Sequence, residues 1–319
     1  TILSKHAEDN AESQRLFDRA TELTIKLNSW LKRDNQNDIY WLEVFARTIQ
    51  FNATPISVAE QFNKFQKKAD SAWIFTSATL SINGSFDHFT SLLGLKKSRT
   101  QYLQSPFNYS ENAFLYVPKE IPDPKDELFN LVLVKKALPL IRAAKGRAFI
   151  LATSLKSMEE IGALLKDEFE KNKIDYPVIT QGEGPKNDLL NQFKKHGNAV
   201  LIGSLSFWEG IDVRGSTLSL VIIDKLPFQS PGDPVFESKI KLLTEEGTNA
   251  FMSMQLPEAI IRLKQGVGRL IRDDHDKGVM VICDRRIIEK SYGMKIWKSL
   301  PSFKRTRSES AVINFLEEL

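Results

Sequence analysis

The later part of the chain alternates between short apolar runs and segments with helical spacing. The almost wholly apolar runs are residues 147–153, 177–180, 199–203, 218–223 and 278–283. Such runs predict strands that are buried on both faces of a sheet. Apolar residues three and four positions apart predict helices at residues 157–171, 187–195 and 257–270. This alternation predicts an α/β fold, in which a parallel sheet carries helices on both faces.

The first 70 residues follow a different pattern. Residues 13–31 show helical spacing, residues 39–51 are aromatic and β-prone, and residues 58–67 predict a further short helix. Residues 72–80 predict a buried strand that runs into a Ser/Thr-rich turn. We therefore divide the chain into an N-terminal helical segment at 1–70, a connecting segment at 71–105 and the α/β domain at 106–319.

Composition narrows the function classes only in part. The 319 residues include 44 Lys and Arg against 40 Asp and Glu, a formal charge of +4. Because this net charge is small, any nucleic-acid contact must come from local clusters of basic residues. A single cysteine, Cys283, excludes a disulfide framework and a cysteine-ligated metal site built within the chain. No run approaches the roughly 18 apolar residues of a membrane span, so we expect a cytoplasmic protein.

The segment Gln265-Gly-Val-Gly-Arg-Leu-Ile-Arg272 carries the sharpest chemical pattern. Gln265, Arg269 and Arg272 lie at positions i, i+4 and i+7, which predicts that they share one face of a helix. Gly268 on this helix would allow the close approach of another backbone. Two guanidinium groups and a carboxamide suit the charge on a transferring phosphoryl group, the arrangement of arginine fingers. The alternative is a solvated basic helix end, which the helix dipole favours.

Small hydroxyl residues follow two of the predicted strands. Thr153 and Ser154 follow one, and Ser204 and Ser206 follow another. Ligands of open α/β sheets bind at the carboxyl ends of strands, where hydroxyl groups can hold DNA phosphates without reading sequence. The alternative is that each hydroxyl serves an ordinary turn or helix cap.

The loop after residues 199–203 continues with two aromatic and two acidic residues. Phe207 and Trp208 either stack on bases or pack beneath the loop. Gly210 lets the backbone approach a ligand, and the carboxylates of Glu209 and Asp212 can orient arginines or a ribose. A structural turn would explain Gly210 but not the flanking acids.

These segments resemble, in order, motifs of superfamily 2 helicases. The segment at 265–272 resembles motif VI, 206–212 motif V, 150–154 motif IV and 76–80 motif III. Together with the segments between them, they resemble the DinG/YoaA branch of XPD-like DNA helicases, most nearly its YoaA members. The resemblance extends from Ala72 to the end of the chain.

The resemblance implies a second RecA-like motor domain of an ATP-dependent 5′-to-3′ DNA helicase in repair or replication. Arg269 and Arg272 would then reach the γ-phosphate across the cleft between two motor domains, and Gln265 would contact the nucleotide. Glu209, Gly210 and Asp212 would couple the ATP and DNA surfaces, as would Thr76 and Ser77 of motif III.

The resemblance also implies ATP, Mg²⁺ and a 4Fe-4S cluster. The chain departs from the family pattern, because it lacks a glycine-rich phosphate loop, a DEAH motif and the four cluster cysteines. It also begins with Thr1 rather than methionine. We therefore expect a C-terminal fragment that is inactive alone.

The expected partners are single-stranded or forked DNA and, from the YoaA resemblance, the chi subunit of DNA polymerase III. Residues 301–307 place three cations beside Phe303, which predicts an exposed docking corner that includes Arg305 and Thr306. The competing hypothesis is a non-enzymatic module that docks on DNA or a polymerase.

Overall fold

The computed structural model describes residues 11–68, 71–204, 207 and 217–319. They form two compact units that alternate along the chain. The first unit draws on the chain up to Ile74, on Phe89–Ser98 and on Gln229–Ser253. The second comprises Phe75–His88, Arg99–Phe228 and Met254–Leu319.

The helices among the described residues are numbered in chain order. They are α1 Ala11–Lys32, α2 Ala59–Lys68, α3 Asp87–Leu93, α4 Tyr109–Asn112, α5 Phe129–Ala143, α6 Leu155–Lys171, α7 Lys186–His196, α8 Pro234–Glu245, α9 Leu256–Leu270, α10 Arg286–Glu289, α11 Gly293–Ser299 and α12 Glu309–Glu317. A π-helical turn, Phe251–Gln255, precedes α9. In the part of the chain that the structure describes, no helix is long and apolar enough to cross a membrane.

Seven strands of the second unit form one parallel sheet, in the order β5-β6-β4-β7-β8-β3-β9. They are β3 Ala113–Tyr116, β4 Ala148–Ala152, β5 Val178–Thr180, β6 Val200–Ser204, β7 Leu220–Ile223, β8 Gly278–Ile282 and β9 Lys304–Thr306. The central strands are buried throughout, as their continuous apolar runs predict.

Helices cover both faces of this sheet. Alternate strand residues such as Ile150 and Ile222 join one core cluster with the buried sides of α5, α6 and α12. The intervening residues point to the opposite face, where α9 contacts β7 and β8. The predicted RecA-like α/β architecture is confirmed.

The first unit contains α1 and a β-hairpin of β1 Asp38–Val44 and β2 Ile49–Pro55. The Trp30 indole N–H of α1 donates to the carbonyl of Asn52 over 2.8 Å. The Trp30 ring also meets Phe51 edge-on, with centroids 4.9 Å apart. The predicted helix and the β-prone segment are therefore both present and are packed together.

The prediction of a buried strand at residues 72–80 is wrong. This segment has no regular secondary structure, and Ile74 is 84% exposed. A strand needs a neighbour for its backbone N–H and C=O groups. None of the strands in the described part of the chain pairs with this segment.

Candidate functional site

Helix α9 carries Gln265 and Arg269 one turn apart. Its apolar stripe, which includes Ile260, Leu263 and Val267, is buried. The stripe fixes the rotation of the helix, so Gln265 and Arg269 lie on its partly exposed side. A carboxamide and a guanidinium in this arrangement offer several N–H donors to an anionic group.

The prediction that Arg272 shares this helix face is wrong. The helix ends at Leu270, and Ile271 is extended, with φ −121° and ψ 112°. The Asp276 carboxylate then accepts backbone N–H groups from Arg272 over 2.9 Å and from Asp273 over 3.1 Å. These bonds stabilise a turn instead of a further helical turn, so Arg272 lies beyond the helix.

Gly268 does not make the expected close approach within the described part of the chain. It is exposed, and a Cβ atom there would meet no described atom within 4 Å. Space for an outside group is therefore present above this side of α9.

The carboxyl edge of the sheet brings Thr153 and Asp224 together. The Thr153 backbone N–H and hydroxyl donate to the Asp224 carboxylate over 3.0 and 3.1 Å. Ser157 Oγ lies 3.2 Å from the same carboxylate, and the Lys225 backbone N–H also donates to it. Asp224 is 0% exposed, and burial raises its pKa to about 6, although the hydrogen bonds oppose this shift.

The other described hydroxyl groups at this edge also have local partners. Ser154 caps α6, because its Oγ accepts the backbone N–H of Ser157 over 3.1 Å. Ser204 donates its backbone N–H and its hydroxyl to Gln181 Oε1 over 2.7 and 2.9 Å. Ser154 therefore serves as a helix cap, which was the alternative to a DNA contact. The residue is also exposed to solvent.

A second buried carboxylate, Asp284, follows β8 at the same edge. It accepts the backbone N–H groups of Leu226 and Arg286 over 2.8 and 3.0 Å. The Arg286 guanidinium also donates to both of its oxygens, with a closest distance of 2.6 Å. The same guanidinium lies 5.5 Å from the Phe228 ring centroid, so Asp284 and Arg286 together hold the loop after β7.

Sequence reasoning missed Asp224 and Asp284. Each comes at the end of a wholly apolar run: Asp224 directly follows β7, and Asp284 follows β8 and Cys283. An acidic residue in this position was the available signal, because carboxylates at the carboxyl edge meet backbone N–H groups of the neighbouring loops.

Phe207 is 5% exposed and packs against the backbone of Gly203, where an added Cβ would lie 2.9 Å from the ring. The Lys186 ammonium lies 5.3 Å from the ring centroid. This burial favours the packing alternative over base stacking. Ser206, Trp208, Glu209, Gly210 and Asp212 lie outside the described residues.

Helix α9 is called the arginine helix below, because it carries Arg269. Its Arg269 end and the hydroxyl groups of Thr153 and Ser204 lie at different ends of the sheet. At its middle, Arg262 of α9 donates to the Pro227 carbonyl over 3.2 Å, in the loop at the carboxyl edge. Near its end, Leu270 lies against Gly278, the first residue of β8. Arg269 therefore lies toward the amino end of the strands, away from Thr153 and Ser204.

Two further predicted site segments differ in exposure. Thr76 and Ser77 are exposed, and the Ser77 and Thr79 hydroxyl oxygens are 3.2 Å apart. Phe303, predicted to be exposed, is instead 5% exposed and meets Tyr109 edge-on at 5.4 Å. An apolar ring next to β9 is buried when β9 pairs with the sheet, so the prediction of an exposed aromatic corner is wrong.

Residues 137–303 match the family of helicase C-terminal domains. They make up just over half of the chain, and the chain therefore belongs to that family. Within it, the resemblance to the DinG/YoaA branch is confirmed by the relatives that follow.

The ATP-dependent DNA helicase YoaA of Haemophilus influenzae is 42% identical over 302 residues, 95% of this chain and 46% of the relative. YoaA of Escherichia coli is 44% identical over 94% of this chain and 46% of the relative. The ATP-dependent helicase DinG of Mycobacterium tuberculosis is 33% identical over 89% of this chain and 43% of the relative. The chain thus spans just under half the length of these relatives.

Solved structures agree in fold. An XPD helicase structure superposes with a TM-score of 0.61 at 17% identity, over 84% of this chain and 48% of that one. An apo XPD structure gives 0.60 at 19% identity, over 81% of this chain and 54% of that one.

The residues of this chain do not fit the iron–sulfur cluster that the resemblance implies. Such a cluster is held by several cysteine thiolates. The chain has one cysteine, Cys283, and burial next to β8 raises the pKa of its thiol. Cys283 is therefore a small core residue that stays protonated.

Proposed function

We propose that this chain supplies the second motor domain of an ATP-dependent 5′-to-3′ DNA helicase that acts in repair or replication. The observation that carries the proposal is the placement of Gln265 and Arg269, one turn apart on the partly exposed side of α9. The buried stripe of the same helix fixes the face on which both residues lie, and an arginine finger depends on such positioning.

In this proposal Arg269 is the main arginine finger, and Arg272 approaches from the turn after the helix. Their guanidinium groups stabilise the negative charge that spreads over the γ-phosphate oxygens of ATP during transfer to water. Gln265 orients the nucleotide or the neighbouring arginine. The sequence contains no phosphate loop, so ATP is bound mainly by a separate motor domain, and the chain alone does not turn over ATP.

Mg²⁺ bound with ATP would neutralise phosphate charge. In the described part of the chain, no group of three or more His, Cys, Asp or Glu side chains is placed to hold a metal ion. These residues do not fit a Mg²⁺ site, and we assign its ligands to the separate motor domain.

The carboxyl edge of the sheet supplies part of the DNA track. The hydroxyl hydrogens of Thr153 and Ser204 are used by Asp224 and Gln181. Ser154 differs, because its oxygen accepts the cap hydrogen bond while its own hydrogen remains available to a phosphate. Among Thr153, Ser154 and Ser204, Ser154 is therefore the best phosphate donor, and the other two shape the loops beside it.

The rival function is a module that docks on DNA or a polymerase without catalysis. Arg305 is exposed, and its guanidinium donates to the Trp297 carbonyl over 2.8 Å and lies over the Trp297 ring. A chi-subunit interface would therefore use Arg305 and Thr306, with Phe303 as its buried support. A pull-down of chi that Arg305→Glu leaves unchanged would exclude this interface.

ATP hydrolysis with and without single-stranded DNA tests the proposal. The complete gene product should show DNA-stimulated hydrolysis, and this chain alone should be silent. Arg269→Ala should lower kcat at least 100-fold while ATP still binds, because transition-state charge loses its partner. Arg285→Ala, an exposed arginine at the carboxyl edge, is the matched control. Full turnover by Arg269→Ala would favour the docking module.

A further inference from the structure

Lys264 connects the arginine helix to the segment after residues 76–80. It directly precedes Gln265 on α9, and its ammonium group donates to the backbone carbonyl of Ser81 over 2.9 Å. Ser81 is 5% exposed, so this bond is largely shielded from water. Within the second unit, the bond joins two stretches that are 183 positions apart in sequence.

The segment that Lys264 holds contains a tight turn. Ile82 and Ser85 exchange backbone hydrogen bonds over 2.8 and 3.0 Å. Asn83 and Gly84 between them have φ values of 52° and 80°, as the Asn-Gly pair of a hairpin turn requires. Ser81 lies between residues 76–80 and this turn, so the bond from Lys264 acts at the junction of the two segments.

Ser299 of α11 provides a second tether for the same turn. Its single hydroxyl hydrogen is shared between two acceptors, Asn83 Oδ1 at 2.9 Å and the carbonyl of Lys295 at 2.7 Å. Ser299 lies on α11, so its bond to the turn does not run through Lys264 or α9.

The chemistry at Lys264 is unusual for a purely structural tether. Burial lowers the pKa of its ammonium group. In the described part of the chain it forms no ion pair that would offset this desolvation. An apolar residue at this position would leave the shielded Ser81 carbonyl without this donor.

We propose that Lys264 is a positioning residue that couples the arginine helix to residues 76–80. A shift of α9 when Arg269 meets a phosphate would be passed through the Lys264–Ser81 bond to Thr76 and Ser77. The proposal rests on the proposed function and adds to it the residue that transmits the signal between the two motifs.

The experiment compares the complete gene product with its Lys264→Met, Lys264→Arg and Ser299→Ala variants. The measured quantity is the ratio of ATP hydrolysis with saturating single-stranded DNA to hydrolysis without it, together with the KM for ATP and the Tm of each variant. Lys264→Met should lower the ratio at least threefold and leave the KM for ATP within twofold. Lys264→Arg keeps a donor and should retain most of the ratio, and Ser299→Ala should retain all of it.

An unchanged ratio in Lys264→Met overturns the coupling role. So does an equal loss in Ser299→Ala, because anchoring of the turn would then explain both. If Lys264→Met lowers Tm enough to prevent assay, Lys264→Ala takes its place, because it also removes the donor and alanine is a good helix former. A ratio at least threefold lower in Lys264→Ala supports the proposal, and a normal one overturns it. A parent protein without DNA-stimulated hydrolysis would overturn the proposed function itself, and the coupling role with it.

Discussion

Thr153 meets Asp224 with two hydrogen bonds, from its backbone N–H over 3.0 Å and from its hydroxyl over 3.1 Å. The pair joins the end of β4 to the end of β7 at the carboxyl edge of the sheet. Asp224 thereby fixes the start of the loop that presents Ser154. A carboxylate with no exposed surface holds part of the proposed DNA track.

This buried carboxylate predicts a pH-dependent stability. Because burial raises the pKa of Asp224 from 3.8 to about 6, the folded state binds its proton more tightly than the unfolded state. The corresponding stabilisation is present below pH 4 and is lost as pH rises through 6. Relative to Asp224→Asn, the parent should lose up to roughly 3 kcal/mol of unfolding free energy across this range.

Urea unfolding at pH 4.5, 5.5 and 7 measures this difference. Asp188→Asn, at an exposed position in α7, controls for the removal of one negative charge. A difference between the parent and Asp224→Asn that stays constant with pH would show that Asp224 does not titrate in this window.

Removal of Asp284 should be strongly destabilising. Asp284→Ala leaves the backbone N–H groups of Leu226 and Arg286 without an acceptor and the Arg286 charge without its partner. Breaking a buried pair in this way costs about 3–5 kcal/mol. Arg285→Ala breaks the exposed pair with Glu289 and should cost at most about 1 kcal/mol. Equal losses in chemical denaturation would contradict the role of Asp284 in holding the loop.

Ser154 allows its helix cap to be separated from its proposed DNA contact. Aspartate caps helices as well as serine does, so Ser154→Asp should keep the unfolding free energy within about 0.5 kcal/mol. Its negative charge should repel a DNA phosphate and weaken single-stranded DNA binding by the complete gene product about tenfold, less at high salt.

Ser308→Asp is the matched control, because Ser308 caps α12 by the same hydrogen bond to a backbone N–H. Fluorescence anisotropy with labelled single-stranded DNA measures both variants. A similar loss of affinity in the two would mean that added charge alone, wherever it lies, explains the effect.

The turn after α9 should affect catalysis through Arg272. Asp276→Ala removes the acceptor of the Arg272 and Asp273 backbone N–H groups. The turn should loosen, with about 1–2 kcal/mol lower stability. The kcat for ATP should fall about tenfold in the complete gene product, because Arg272 is no longer positioned. Asp274→Ala, at an exposed position two residues earlier, should leave kcat unchanged. Steady-state ATP hydrolysis distinguishes the Asp276 variant from this control.

The apolar runs predicted the sheet well because a strand buried on both faces leaves an unambiguous pattern. The helix at α9 was equally clear up to Leu270. Its end was not, because Asp276 competes for backbone N–H groups through a side chain that lies six positions further along. The prediction of a strand at residues 72–80 was wrong for another reason. Their apolar pattern suits a strand, but a strand also needs a neighbour, and sequence alone does not supply one.

The relations within the candidate site are likewise of two kinds, those set by sequence spacing and those set by the order of the strands. Gln265 and Arg269 are neighbours on a helix, so their relation depends only on sequence spacing. Asp224 serves Thr153, 71 positions away, and Asp284 serves Leu226, 58 positions away. Such pairs depend on which strands are adjacent, and the pattern of apolar runs gives the strands without their order.

The position of β3 in the sheet has a consequence for synthesis on the ribosome. Its two neighbours are β8 and β9, which lie near the other end of the chain. At about 5–20 residues per second, the roughly 160 residues between β3 and β8 take about 8–30 s to translate. Throughout that interval the apolar strand at residues 113–116 has neither neighbour. The nascent chain therefore has to be shielded from β-pairing with other chains, and a prematurely terminated product would keep both edges of β3 open to aggregation.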